Sequence, residues 1–140
     1  MPPSMAVITL AVADLARARR FSEEGFGWPP VFANEEIVFT QMNGFVLGLW
    51  LRPAMEADTG RAATESGAVA LARNVRTEAE VAAVMERLLA SGGTLLRPAD
   101  APPHGGLRGY VADRDGHAWE IAWNPAWPID GQGRVTFSPG

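Results

Sequence analysis

The sequence predicts an α+β fold in which one strand–helix–strand pattern occurs twice. Three observations predict it. Each half opens on a strand-sized apolar run, residues 5–12 and 67–74. Each run leads at once into a helix-start signal followed by apolar residues at helical spacing. Each half then closes with two or three strand-like segments separated by turn residues. The halves share pattern rather than letters.

The first run, Met-Ala-Val-Ile-Thr-Leu-Ala-Val, is partly β-branched and reads as a buried strand. Asp14 is placed to cap a helix, because its carboxylate can accept amide hydrogens of the first turn. Leu15, Ala18 and Phe21 recur at helical spacing until Gly25 and Gly27-Trp28-Pro29-Pro30 end the element. Segments 36–41 and 45–51 read as strands joined at Asn43-Gly44, two residues that both tolerate positive φ. Residues 52–66 show no clear period and read as a linker or mobile flap. After the strand at 67–74, Thr77 and Glu80 form a capping box. Val81, Val84, Met85, Leu88 and Leu89 make one apolar helix face, closed by Gly92-Gly93. Strands near 94–96, 107–112 and 117–123 complete the second half. The tail has no clear direction, and reads as either loose or laid against a partner subunit.

These elements suit a single domain, with modules at about 5–52 and 67–125, a linker at 53–66 and a tail at 126–140. A hydrophobic content of 47% and a charged content of 20% are those of a soluble globular chain. The net charge of −4 provides no electrostatic footprint for nucleic acid. With no cysteine, disulfides, thiolate metal sites and cysteine nucleophiles are excluded. No apolar run approaches the roughly 20 residues that span a bilayer, so no membrane partner is expected. Met1-Pro-Pro-Ser-Met5 lacks a signal-peptide pattern, and a cytoplasmic location is expected.

Three stretches carry a family resemblance. They are residues 8–21, residues 67–71 with the following helix and Gly92-Gly93, and Tyr110-Val-Ala-Asp-Arg-Asp-Gly-His-Ala-Trp-Glu-Ile-Ala-Trp-Asn-Pro125. Together they make the chain resemble the vicinal oxygen chelate superfamily, which includes glyoxalase I, bleomycin-resistance proteins, fosfomycin-resistance enzymes and extradiol dioxygenases. The resemblance implies two tandem βαβββ modules forming a curved, incompletely closed mixed sheet around an internal cup. It also implies a homodimer, and a metal held by ligands from the first and last strand of each module. Against that pattern this chain places Val7, Gly48, Ala68 and Glu120, of which Glu120 alone carries a usable donor. No metal site and no cofactor are therefore expected.

Strand alternation gives the rest of the reading. If Glu120 faces the cup, then Trp119, Ile121 and Trp123 face the helices, while Thr9, Gly48, Trp50 and Ala72 share the cup face. Trp50, Thr9 and Glu120 become candidate ligand contacts, together with His104 in the loop Pro102-Pro-His-Gly-Gly106. Glu120 is also the candidate catalytic group, unless it pairs internally with Arg52, Arg73 or Arg108, or is, as the resemblance allows, a relic of a lost metal site. His117 points away from Glu120 and reads as a surface residue beside a turn; Trp28 reads as a packed loop cap. Asp113-Arg-Asp-Gly116 lacks the remaining oxygens of a calcium loop and reads as a tight turn.

Two functions follow from the resemblance. One is a metal-independent protein that binds a small organic molecule in the cup, similar to the bleomycin-resistance branch. The other is an enzyme: a metal-free isomerase or lyase using Glu120 as base, or a metal-dependent glyoxalase or dioxygenase.

Overall fold

The computed structural model describes residues 1–64 and 67–138. The first module runs β1 (Val7–Val12), α1 (Leu15–Arg20), a π-helical turn (Phe21–Phe26), β2 (Phe32–Ala33), β3 (Ile37–Gln41) and β4 (Val46–Leu51). Helix α2 (Arg52–Thr59) leads to the second module: β5 (Ala70–Val75), α3 (Glu78–Ala90), β6 (Thr94–Asp100), β7 (Leu107–Ala112) and β8 (Ala118–Trp123). Two four-stranded mixed sheets result, ordered β1-β4-β3-β2 and β5-β8-β7-β6. They do not close into a barrel. In each sheet the first strand runs parallel to the last, and the helix between them makes that crossover possible.

Local chemistry explains most element ends. Asp14 Oδ1 accepts the Arg17 amide at 3.0 Å and caps α1. The helix does not stop at Gly25; it widens into the π turn and ends at Gly27, whose φ of 77° few other residues adopt. At the β3–β4 hairpin only Gly44 has positive φ, and Asn43 does not. Thr77 caps α3 by position without a side-chain bond, and Glu80 Oε2 accepts the Arg76 amide at 3.3 Å, so the predicted reciprocal box does not form.

The expected linker at 52–66 is corrected by α2. Pro53 lies in its first turn, Gly60 closes it with φ of 79°, and Glu56 Oε2 accepts the Ala63 amide at 2.9 Å. Residues 65 and 66 of that expected linker lie outside the described residues. The second-half opening strand begins at Ala70 rather than 67, and β2 adds a strand too short to show a period.

Both helical layers lie on one side of the sheets. Leu10, Val12, Leu49, Val75, Val81, Leu88, Val111, Trp119 and Ile121 belong to one buried cluster. Phe21, Phe26 and Trp28 bring the first module's rings against Trp119 of the second, at centroid distances of 6.4, 4.9 and 6.0 Å. Trp28 stacks on Phe26 at 4.1 Å, the packed loop cap expected of it.

A polar lock also joins the modules. Asp115 Oδ1, buried in the β7–β8 turn, accepts the Ala13 amide at 2.8 Å and lies 3.4 Å from Arg17 Nη2. His117 Nε2 lies 2.9 Å from the Ala11 carbonyl oxygen. His117 is thus half-buried and bonded across the modules, rather than the surface residue expected. The tail folds back on its own chain: Ile129 bridges Val135, and Arg76 donates to the carbonyls of Ile129 and Asp130. Trp127 packs edge-on against Phe137.

Candidate functional site

The face opposite the helices is built from paired strand rows. In the first sheet Thr9 neighbours Gly48, which neighbours Phe39; one step along, Ala11, Trp50 and Ile37 form the next row on that face. A Cβ added at Gly48 would lie 3.3 Å from Thr9 Oγ1 and 3.4 Å from the Phe39 ring, so both side chains stand over the glycine. In the second sheet Ala72 neighbours Glu120, which pairs with Tyr110. Trp119 and Ile121 are buried on the helix side, as strand alternation requires.

The two registers superimpose. Val7 pairs with Val46 as Ala70 pairs with Ala118. Gly48 and Glu120 therefore hold equivalent positions, as do Thr9 and Ala72. By register Ala70 is the counterpart of Val7, and Ala68 lies two residues before β5. The metal that the resemblance implies can be tested against these rows. Val7, Thr9, Val46, Gly48, Trp50, Ala70, Ala72 and Ala118 provide one hydroxyl around the Glu120 carboxylate and no imidazole. Among the described residues, no group of three or more His, Asp or Glu converges as a metal site would require. These side chains do not fit a divalent ion.

Glu120 is half-buried and forms no hydrogen bond or ion pair among the described residues. Its three expected partners are engaged elsewhere or face away. Arg52 donates to the Ala63 carbonyl at 3.0 Å. Arg108 pairs with Asp100, which Arg97 also holds at 2.8 Å. Arg73 shares the helix-side phase of Leu71 and Val75. The hydrogen bond from Arg97 is the main cause holding the Asp100 carboxyl below the usual carboxylate range. The face thus presents one carboxylate beside a phenol, near apolar and small groups.

The four predicted contacts are only partly brought together. Thr9 and Trp50 share one face of the first sheet, and Glu120 lies in the second sheet at the position equivalent to Gly48. Trp50 is half-buried, and its Nε1 donates to Glu36 Oε2 at 3.2 Å, which anchors the indole at the end of β4. His104 is exposed in the β6–β7 loop, and no hydrogen bond or ion pair joins it to the other three among the described residues. Tyr110 escaped the sequence reading. Counting outward from the turn at 113–116 pairs it with Glu120, so hairpin register was the signal available.

Comparison with known proteins agrees with this architecture. Residues 4–121 match the model of the Glyoxalase/Bleomycin resistance protein/Dioxygenase superfamily. A search of curated proteins found no match. Among solved structures, the chain is 64% identical to a glyoxalase-related enzyme from Fulvimarina pelagi, with 97% of this chain and 99% of that one covered and a TM-score of 0.95. It also has the fold of a lactoylglutathione lyase from Agrobacterium tumefaciens, at 21% identity, coverage of 88% and 95%, and a TM-score of 0.70. A fosfomycin resistance protein from Mesorhizobium loti is similar at 22% identity, coverage of 89% and 94%, and a TM-score of 0.67.

Proposed function

Because this chain belongs to the Glyoxalase/Bleomycin resistance protein/Dioxygenase superfamily, we propose that it binds a small organic molecule on the concave face without a divalent metal. One observation carries this reading: Glu120 has no cationic partner among the described residues, and its neighbours and module counterparts bring no second carboxylate or imidazole. A ligand with a cationic or hydrogen-bond-donating group satisfies Glu120. Its apolar part rests against Thr9, Phe39 and the small residues around Gly48 and Ala72, with Trp50 bounding the site. His104 is left out, since nothing joins its loop to these groups.

A second reading has its own support. Tyr110 stands across from Glu120, and the relative from Fulvimarina pelagi is described as a glyoxalase-related enzyme. In that reading Glu120 takes a proton from the bound substrate and Tyr110 returns one, as a metal-free isomerase or lyase would require. Metal-dependent glyoxalase or dioxygenase chemistry would need donors these rows do not carry.

Titrating tryptophan fluorescence with a panel of small organic cations, in the presence of EDTA, separates the readings. A binder leaves its ligand chemically unchanged, and Glu120→Gln weakens affinity by about tenfold or more. An enzyme keeps binding in Glu120→Gln and loses turnover. Binding that survives Glu120→Ala, together with a gain in stability, contradicts both. We extend the proposal to a homodimer: Val31, Phe32, Leu95 and Leu96 expose apolar surface at the outer strands, which a second copy would cover. A dimer mass by light scattering supports this, and a monomer mass at working concentration opposes it.

A further inference from the structure

The repeat leaves two equivalent junctions between the modules, and they are filled differently. At one, the β7–β8 turn reaches the end of β1 through Asp115 and His117. At the other, the β3–β4 turn approaches the end of β5. Counting back from β4 and β8 puts Phe45 where His117 stands and Asn43 where Asp115 stands. Among the described residues neither side chain bonds β5: Asn43 Nδ2 donates to the Gln132 carbonyl of the tail at 3.0 Å instead. A cavity of about 440 Å³ remains there, with Gly133 and Val135 of the tail among its lining residues.

We infer that this junction cavity is a second binding site, distinct from the concave face, for an organic acid with an apolar or aromatic body. Its volume falls in the range of small-ligand sites, roughly 300–1,000 Å³. Ile8, Leu47, Leu71 and Trp119 line it from the helix-side phase of the strands, opposite to Thr9, Gly48 and Glu120; Ala72, Asn74 and Gln41 of the other phase line it too, and Trp28 adds a second indole. Arg73 also lines it, and its guanidinium has no hydrogen bond or ion pair among the described residues. Among the described residues, no acidic side chain lines the cavity. A largely apolar pocket bearing one guanidinium and no carboxylate selects a carboxylate on an apolar body, with Asn74 available for a further hydrogen bond.

The test titrates the full chain with naphthaleneacetate and with naphthaleneethanol, its neutral counterpart, following assigned indole N–H resonances. The acid should bind one-to-one and shift Trp28 and Trp119 while Trp50 stays fixed. The alcohol should bind about tenfold more weakly. Arg73→Gln should bring the acid down to the alcohol's affinity, and Glu120→Gln should change neither. Equal affinity for acid and alcohol, no saturation by the acid, or a response centred on Trp50 and lost in Glu120→Gln would overturn the assignment. The acid–alcohol comparison on the unaltered chain decides it even if Arg73→Gln fails to fold.

Discussion

Asp113 shows how much one turn residue can carry. Its Oδ1 accepts the amides of Asp115 and His117, and its Oδ2 accepts Trp119 Nε1 at 3.1 Å. Burial nonetheless pushes its carboxyl above the usual range, against the opposing pull of His117 and those bonds. The folded state therefore holds this proton more tightly than the unfolded chain does. Asp113's contribution to stability is greatest below its unfolded pKa, falls as pH rises to the raised folded value, and is flat beyond it. Asp113→Asn should abolish that slope, visible in the wild-type-minus-variant difference from urea unfolding across pH. It also sets an amide donor against the Trp119 indole, at a cost of about 1–3 kcal/mol. Asp115→Ala should likewise cost about 1–3 kcal/mol in the same assay, because it strips the buried partner of the Ala13 amide. The sequence shows a turn at 113–116 plainly. It does not show that Asp115 and His117 reach β1, since that contact depends on how the modules dock.

Elements with strong periodicity or good end signals were legible: β1, the capped start of α1, α3, β7 and β8. Those missed lack such signals for physical reasons. Helix α2 buries no residue, so no apolar stripe betrays it, and only Pro53 and Gly60 mark its ends. The extension of α1 past Gly25 follows from packing: the π turn places Phe21 and Phe26 5.8 Å apart, both against Trp119. Gly25 serves close approach rather than termination, since a Cβ there would stand 2.8 Å from Leu88 Cδ2. Gly25→Ala should therefore destabilise the chain by about 1–3 kcal/mol despite the better helix propensity of alanine. A thermal or urea transition measures this. An unchanged midpoint would mean that the π turn and α3 separate freely.

At the scale of the whole molecule, the repeat is what makes the site readable. Superimposed registers turn Gly48 into the counterpart of Glu120 and Thr9 into that of Ala72, so one carboxylate stands on these rows without a second beside it. The sequence grouped Thr9 and Trp50 with Glu120 by strand alternation, once the family resemblance had set Glu120 on the cup face. It missed Tyr110, which needs hairpin register, and the junction cavity, which needs the docked modules and the folded-back tail. The central claim is that Glu120 serves an organic ligand rather than a metal. Its most direct test is elemental analysis of tag-free protein and of Glu120→Gln, after incubation with manganese, iron, cobalt, nickel and zinc and then desalting. Neither protein should retain metal. Near-stoichiometric metal on the wild type, lost in Glu120→Gln, would contradict the claim.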